Sequence, residues 1–251
     1  MKFINKIILG DCLDVMKEIP DDSVDMILCD LPYGTTQCKW DTIIPFDLLW
    51  AEYNRIAKNN AAKVFTAAQP FTSILIQSNI KEFKYNWIWE KSKATGYLNA
   101  KKMPLRAHED VCVFYKKPPV YNPQMWESTP YNKGKAHRPT DVYGKQKSVL
   151  VKNDSGLRYP RTVQYFKTAE SEGKVYHPTQ KPVSLFEYLI KTYTNEGDVI
   201  LDNCIGSGTT ALASIETNRK FIGIELDKEY HEICTERINL TLEKKSDIIT
   251  T

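Results

Sequence analysis

The sequence predicts an α/β fold built on a doubly wound, mainly parallel sheet, and three observations support this prediction. Strand-like and helix-like patterns alternate over 1–115 and resume from 184 onward, which is typical of successive βαβ units. Residues 24–29 form a mostly apolar run, which suits a strand covered by helices on both faces. A glycine-rich turn at 206–208 joins a strand pattern to a helix pattern, as in nucleoside-binding sheets.

The elements can be assigned in chain order from the spacing of apolar residues and from the prolines. Pro20 ends the first helical pattern, and Pro70 precedes the third, because proline cannot continue a helix but is tolerated at its start. The predicted strands are 4–9, 24–29, 61–66, 85–89, 110–115, 199–201 and 221–224. The predicted helices are 12–19, 46–58, 71–83, 184–194, one that follows Gly208, and 230–242.

The regular pattern breaks down over 116–174, where proline, asparagine, glycine, lysine and tyrosine dominate. This stretch holds twelve Lys and Arg against five Asp and Glu, although the whole chain has a net charge of only +3. Such asymmetry favours contact with a polyanion, while a solvated basic face remains an alternative. Trp126 and the many tyrosines indicate packing or a binding surface within an inserted region.

Composition disfavours several classes of protein. No apolar run reaches the length of a membrane span, and the N-terminus lacks the pattern of a signal peptide, so a cytoplasmic protein without membrane contact is expected. The six cysteines form no CxxC pair, and the four histidines do not group with them. No metal site is therefore expected.

The first group of candidate site residues lies between the strand at 199–201 and the helix that follows it. Gly206 and Gly208 allow the backbone to approach a ligand, and the helix N-terminus offers free N–H groups. Glu225 ends the next strand, where a carboxylate can bind both hydroxyls of a ribose. The pattern G-x-G-x-x-A also fits nicotinamide enzymes. However, Asp202 would repel a pyrophosphate and attract the cationic amino acid part of S-adenosylmethionine.

The second group is Asp30-Leu31-Pro32-Tyr33-Gly34, directly after the apolar strand at 24–29. Ligands bind at the carboxyl ends of such strands. Asp30 and a backbone carbonyl could together hold the two hydrogens of an exocyclic amine and direct its lone pair at a methyl donor. Tyr33 could stack on a base taken out of a duplex. A plain turn after a strand would be the simpler interpretation of this segment in isolation.

Taken together, these segments resemble those of DNA amino-methyltransferases. Asp30-Leu31-Pro32-Tyr33 is similar to the catalytic D-P-P-Y tetrapeptide of that family, and residues 202–210 are similar to its cofactor loop, D-P-F-x-G-S-G-T. Their order, with the tetrapeptide first, resembles the β class. Other stretches similar to family segments are 8–11, whose Asp11 would hold the cofactor's adenine, 86–91, 107–109 and 177–182, which reads H-P-T-Q-K-P.

The resemblance implies a Rossmann-like methyltransferase fold, S-adenosyl-L-methionine as cofactor, and methylation of adenine N6 in double-stranded DNA, as in restriction-modification. A homodimer is left open. The implied catalytic residues are Asp30, Pro32 and Tyr33. The implied cofactor-binding residues are Asp11, Cys12, Asp30, Asp202, Cys204, Gly206, Ser207, Gly208, Thr209 and Glu225.

The chain departs from the family pattern at Leu31, at Asn203, which replaces the proline of the cofactor loop, and at Cys204. Leu31 replaces the first proline of the tetrapeptide, which preserves the roles of Asp30 and Tyr33. Cys204 replaces the phenylalanine of the cofactor loop and should contact the cofactor less extensively. Lys181 could reach a carboxylate or a phosphate, or it could simply be solvated.

The chain is expected to divide into a catalytic half at 1–115, an inserted target-recognition region at 116–174, and a cofactor-binding half at 175–251. In the usual methyltransferase order the cofactor loop comes first, so this chain is interpreted as a circular permutation. Asp11 and Glu225 should then meet at the two ends of one adenosine, and residues near Leu242 and Met1 should lie close together.

Four alternatives remain at this point. Methylation of cytosine N4 uses the same geometry and is the nearest of them. An RNA or protein-glutamine methyltransferase is the second, and the basic inserted region disfavours the protein substrate. A nicotinamide-dependent oxidoreductase would leave the tetrapeptide unexplained. A DNA-binding module without enzyme activity would bind DNA but transfer nothing.

Overall fold

An eight-stranded sheet with helices on both faces organises the computed structural model, which describes residues 1–36, 38, 41–136 and 148–249. The strands are β1 (Lys6–Leu9), β2 (Val24–Cys29), β3 (Ala57–Ala67), β4 (Phe83–Thr95), β5 (Arg106–Phe114), β6 (Trp126–Glu127), β7 (Tyr131–Ala136), β8 (Val149–Asn153), β9 (Leu157–Arg158), β10 (Val163–Phe166), β11 (Val199–Asp202) and β12 (Lys220–Glu225). The helices are α1 (Cys12–Met16), α2 (Phe46–Ile56), α3 (Phe71–Ser78), α4 (Val183–Tyr193), α5 (Thr209–Glu216) and α6 (Lys228–Ile249).

The strand order is β1-β12-β11-β2-β3-β5-β4-β10. All neighbouring pairs are parallel except those that β5 makes with β3 and with β4. The chain runs from β2 to β3 in one direction across the sheet, and from β11 to β12 in the other. This reversal places a topological switch point between β2 and β11, and ligands bind at such points beyond the carboxyl ends of the strands.

The central strand β2 explains why its sequence is nearly all apolar. Met26 and Leu28 lie in a core cluster with α4, whereas Ile27 and Cys29 lie in a second cluster with α1, α2 and α3. Alternate residues of a strand point to opposite faces, so both faces of β2 are covered. A third, smaller cluster joins α5 to α6. This is the doubly wound α/β fold that the alternating pattern predicts.

The position of β1 places Asp11 and Glu225 at the same end of two neighbouring strands, and both residues line one cavity; that they bind the two ends of one adenosine stays a prediction. β1 pairs in parallel with β12, with Leu9 opposite Glu225, and the N–H of Gly10 donates to the Glu225 carbonyl at 2.9 Å. The first strand of the chain therefore forms the edge beside one of the last, as a circular permutation requires. The proximity of Leu242 to Met1 stays a prediction.

Two predicted boundaries were wrong around residue 80. The helix predicted over 71–83 ends at Ser78, because Asn79 leaves the helical conformation and its side chain accepts a bond from the Glu82 N–H at 3.4 Å. The strand predicted over 85–89 extends over Phe83–Thr95 because it pairs with β5 on one side and β10 on the other. Among the described residues, no helix has the length and apolar character needed to cross a bilayer.

The chain forms two compact units, and the smaller is Pro123–Arg161. It contains two small antiparallel sheets, β6 with β9 and β7 with β8. Gly156 has a φ of +75°, and a Cβ there would meet the Ser128 carbonyl oxygen at 2.3 Å, so the turn requires glycine. This unit is shorter than the stretch 116–174, because β10 belongs to the large sheet.

Candidate active site

A cavity of about 770 Å³ lies at the carboxyl ends of the strands in the larger unit. Its wall includes the residues that directly follow β1 and β2, together with the ends of β11 and β12. These residues are far apart in the sequence, and the sheet brings them together. The predicted site residues that line the cavity are Asp11, Cys12, Asp30, Pro32, Tyr33, Asp202, Cys204, Gly206, Ser207, Thr209 and Glu225.

Gly208 is the one predicted site residue that does not line the cavity. It precedes α5 with a φ of +91°, and a Cβ there would lie 2.6 Å from the Cys234 Sγ atom. Glycine is therefore needed at this position for close packing of α5 against α6. Gly206 has a φ of +53° and does face the cavity.

Asp202 is a buried carboxylate at the end of β11. It accepts hydrogen bonds from the Cys204 N–H at 3.0 Å and from the Thr210 hydroxyl. Burial disfavours the charged form and raises the pKa of Asp202 to about 7. A cation that enters the cavity beside this group would favour its ionised form.

Glu225 is also nearly buried, at the end of β12. One carboxylate oxygen accepts from the Gly206 N–H at 2.7 Å, and the other accepts from the Asp227 N–H at 2.9 Å. Burial raises its pKa. These two bonds fix the carboxylate, and each oxygen keeps a lone pair for a further donor.

Asp11 caps α1 by accepting from the Leu13 N–H at 2.8 Å. With Asp202 and Glu225 it makes this part of the cavity rich in carboxylates. Carboxylates accept hydrogen bonds and carry negative charge, so this part of the cavity fits a cationic ligand with ribose hydroxyls and would repel a pyrophosphate. The residues present therefore fit S-adenosylmethionine better than a nicotinamide dinucleotide.

The other part of the cavity centres on Asp30. Its Oδ1 atom accepts from the Tyr33 hydroxyl at 2.8 Å and from the Thr66 hydroxyl, and its Oδ2 atom lies 2.7 Å from the Lys181 Nζ atom. Three groups thus orient this carboxylate. Tyr33 stacks on Phe71 with ring centroids 4.9 Å apart, so one face of the Tyr33 ring is already covered.

The sequence of residues 24–236 matches a family model described as DNA methylase. The chain belongs to the DNA methylase family. The methylase is thus an adenosylmethionine-dependent enzyme of the group that methylates adenine N6 or cytosine N4 in DNA.

Curated relatives and solved structures agree with this assignment. The type II methyltransferase M.HpaI of Haemophilus parainfluenzae is 26% identical over 247 residues, which cover 93% of the methylase and 74% of M.HpaI. M1.MboII of Moraxella bovis is 28% identical over 251 residues, which cover 90% of the methylase and 94% of M1.MboII. M1.HpyAVI in complex with SAM is 26% identical, with a TM-score of 0.64, covering 93% and 98% of the two chains.

The PvuII DNA methyltransferase, which is cytosine-N4-specific, shares the fold with a TM-score of 0.64 at 17% identity. The match covers 95% of the methylase and 91% of that chain. The doubly wound methyltransferase fold is therefore common to both.

Lys181 is the site residue whose position the sequence left open. It is only 7% exposed and pairs with Asp30, while its Nζ atom lies 3.5 Å from Glu109. Burial lowers the pKa of Lys181, but these two carboxylates outweigh burial and the pKa is raised. Glu109 in turn pairs with Lys91 at 3.3 Å. The H-P-T-Q-K-P segment was the available signal for Lys181, whereas nothing in the sequence indicated Thr66.

Three free cysteines meet beside the cofactor part of the cavity, namely Cys12, Cys29 and Cys204. Burial raises the pKa of Cys29 to about 12, so it stays a protonated thiol at neutral pH. Cys204 packs against the same core cluster.

Within the described part of the chain, no group of three or more His, Cys, Asp or Glu has a geometry that could hold a metal ion.

Proposed function

We propose that this methylase transfers a methyl group from S-adenosylmethionine to N6 of adenine in double-stranded DNA. The observation that carries the proposal is the anchored carboxylate of Asp30 in a cavity that also holds Asp11, Asp202 and Glu225. One cavity thus contains a carboxylate that can orient an amine, Asp30, and three carboxylates that can hold a cationic nucleoside.

The geometry of Asp30 matches the needs of an amine nucleophile. An ionised carboxylate has about four lone-pair sites. Tyr33, Thr66 and Lys181 use three of them, so one site on Oδ2 is left to accept an amine hydrogen. The Pro32 carbonyl takes the second amine hydrogen. The nitrogen lone pair is then turned out of conjugation with the ring and can attack the methyl carbon. The bond from that carbon to the sulfonium sulfur would break as the new bond forms, the thioether would leave, and the cationic nitrogen would lose one proton.

The other residues hold the reactants in place. Tyr33 stacks on the base with the ring face opposite Phe71. When bound, adenosylmethionine supplies the methyl group. Asp202 faces its cationic amino acid part, Glu225 accepts from its ribose hydroxyls, and Asp11 binds its adenine. The remaining cofactor contacts come from Cys12, Cys204, Gly206, Ser207 and Thr209, with Gly208 supporting the loop through its packing on α6.

Adenine is preferred to cytosine because aspartate stands at the first position of the tetrapeptide, as in the D-P-P-Y form that the segment resembles. Cytosine N4 is the competing target, since its amine needs the same two acceptors. The names of the type II relatives place them among restriction-modification enzymes, and we extend that role to this chain.

We further propose that 1–115 and 175–251 act as the catalytic and cofactor halves, and that 116–174 recognises the target sequence. Exposed lysines in β7, Lys133 and Lys135, would contact phosphates. Arg138, Lys145 and Lys147 belong to the same basic stretch, and we propose the same role for them; they lie outside the described residues.

The test is to methylate unmodified DNA with the purified protein, digest it to nucleosides and identify the product by mass spectrometry. We expect N6-methyladenine, and long-read sequencing of the same DNA gives the context. Asp30→Ala should abolish transfer but leave cofactor affinity within about threefold of the parent. Asp47→Ala, at an exposed position in α2, is the matched control and should stay fully active.

Two results would contradict the proposal in different ways. N4-methylcytosine as the product would refute the adenine assignment but leave the family intact. Transfer by Asp30→Ala within a few-fold of the parent would refute the role of that carboxylate.

A further inference from the structure

The loop between β4 and β5, residues 96–105, carries exposed apolar side chains. Leu98 is 83% exposed and Tyr97 is 77% exposed, and these are the two most exposed large apolar side chains in the part of the chain that the structure describes. Met103 and Leu105 are exposed as well. Exposed apolar groups that cluster in this way usually mark a contact surface.

The backbone of the 96–105 loop is held by its own hydrogen bonds. Tyr97–Asn99 forms a 3₁₀ turn, and Asn99 donates to the Gly96 carbonyl at 3.0 Å. Lys102 and Met103 both donate to the Asn99 carbonyl, at 2.8 and 3.0 Å. The loop therefore presents Tyr97 and Leu98 on a folded backbone.

The loop begins and ends at the wall of the cavity. Thr95 and Arg106 lie opposite each other at the end of the β4–β5 pair, and both line the cavity. Lys91 contacts the Thr95 hydroxyl at 3.4 Å and Glu109 at 3.3 Å. Glu109 leads on to Lys181, the partner of Asp30. The loop is therefore attached to the same ion-pair network that orients the proposed catalytic carboxylate.

The charge of this segment identifies its partner. Between 91 and 106 there is no Asp or Glu, and Lys101, Lys102 and Arg106 are exposed. A second copy of the chain seated on this loop by a two-fold axis would bring like charges together. A polyanion is attracted instead, and the apolar side chains suit the stacked interior of a duplex.

We propose that the 96–105 loop enters double-stranded DNA beside the target base. Tyr97 and Leu98 occupy the space in the stack that the base leaves when it rotates into the cavity, and Lys101 and Lys102 hold the flanking phosphates. The inference rests on the proposed function, methylation of double-stranded DNA, and it is the same whether the methylated base is adenine or cytosine.

The test uses the full chain with Tyr97→Ser and Leu98→Ser combined, and a duplex that contains the site identified by sequencing. We expect kcat/KM to fall ten- to a hundredfold on the intact duplex. On a duplex that lacks the base opposite the target, opening the pair is no longer needed, so activity should return to within threefold of the parent. The melting temperature should stay near that of the parent because both side chains are exposed.

Ile80→Ser is the matched control, because Ile80 is 57% exposed and precedes β4, at the end of that strand away from the loop. It should behave as the parent on both duplexes.

For the Tyr97→Ser and Leu98→Ser double variant, an equal loss of activity on both duplexes, or no loss on either, would overturn the proposal. Neither result would change which base the enzyme is found to methylate. Separately, Lys101→Gln with Lys102→Gln should flatten the salt dependence of DNA binding by about 0.9 per phosphate contact in a log–log plot; an unchanged slope would overturn the phosphate contacts.

Discussion

The ion pair between Lys181 and Asp30 leads to a sharp prediction about catalysis. Lys181→Met keeps the length and apolar body of the side chain and removes its charge. The Nζ atom lies 2.7 Å from Asp30 Oδ2 in a buried setting, so the variant removes one of the three groups that hold this carboxylate. Tyr33 and Thr66 still bind Oδ1, and Oδ2 is left free to move.

The size of the effect follows from the kind of bond that is lost. A hydrogen bond to a charged group contributes about 1.5–3 kcal/mol. If that energy is needed to hold Asp30 in the reactive orientation, the rate of methyl transfer falls by about 10- to 150-fold, at 1.36 kcal/mol per tenfold. The hydrogen bonds that hold Asp11, Asp202 and Glu225 do not involve the Lys181 ammonium, so cofactor affinity should stay within about threefold of the parent.

The assay is single-turnover methyl transfer at saturating cofactor and DNA, with the cofactor dissociation constant measured by calorimetry. Lys181→Arg retains a cation and should recover part of the rate. Lys191→Met is the matched control, because Lys191 forms an ion pair with Glu187 on α4 at 3.2 Å in which the two side chains are 44% and 28% exposed. Exposed pairs of this kind contribute about 0.5 kcal/mol or less, so this control should be fully active.

The positioning role of Lys181 would be refuted by a rate for Lys181→Met within twofold of the parent. Loss of rate and of cofactor affinity by the same factor would also refute it, since that pattern indicates a general disturbance of the cavity. Thermal unfolding of all three variants separates lost stability from lost positioning.

The remaining predictions concern the cofactor and DNA. Glu225→Ala should weaken cofactor binding by about 1.5–3 kcal/mol, with the rate recovering at saturating cofactor; an unchanged dissociation constant would contradict the ribose contact. Because burial raises the pKa of Asp202 to about 7, this group gains its charge as pH rises through that value. Cofactor affinity, measured by calorimetry, should therefore increase up to about tenfold from pH 6 to pH 8, and Asp202→Asn should remove this dependence; an unaltered pH profile in that variant counts against the assignment. Lys133→Gln with Lys135→Gln should reduce the log–log salt slope of DNA binding by about 0.9 per contact, and a slope equal to the parent's would mean that these lysines are only solvated.

The sequence was sufficient for the order of elements over 1–115 and from 184 onward, and for the segments that carry the proposed chemistry, but it did not predict β6 to β10. β2 shows a nearly continuous apolar run because both of its faces are covered. That pattern can be recognised from the sequence alone. The segments at 30–33 and 202–210 lie at the ends of β2 and β11, so local pattern was enough to predict that they border the cavity, apart from Gly208 and Thr210. The placement of β1 beside β12, where Leu9 lies opposite Glu225, was expected from chain order.

The tertiary structure decided the contacts between distant segments. Lys181 meets Asp30 across 151 positions, and Thr66 reaches Asp30 because Phe65 pairs with Cys29 in the sheet. It also showed that Gly208 serves the packing of α5 on α6. Local pattern reports which face of an element is apolar, because that depends on neighbours in sequence. The partner of a buried charge depends on how elements pack, since only the packed fold removes water and brings the two groups within bonding distance.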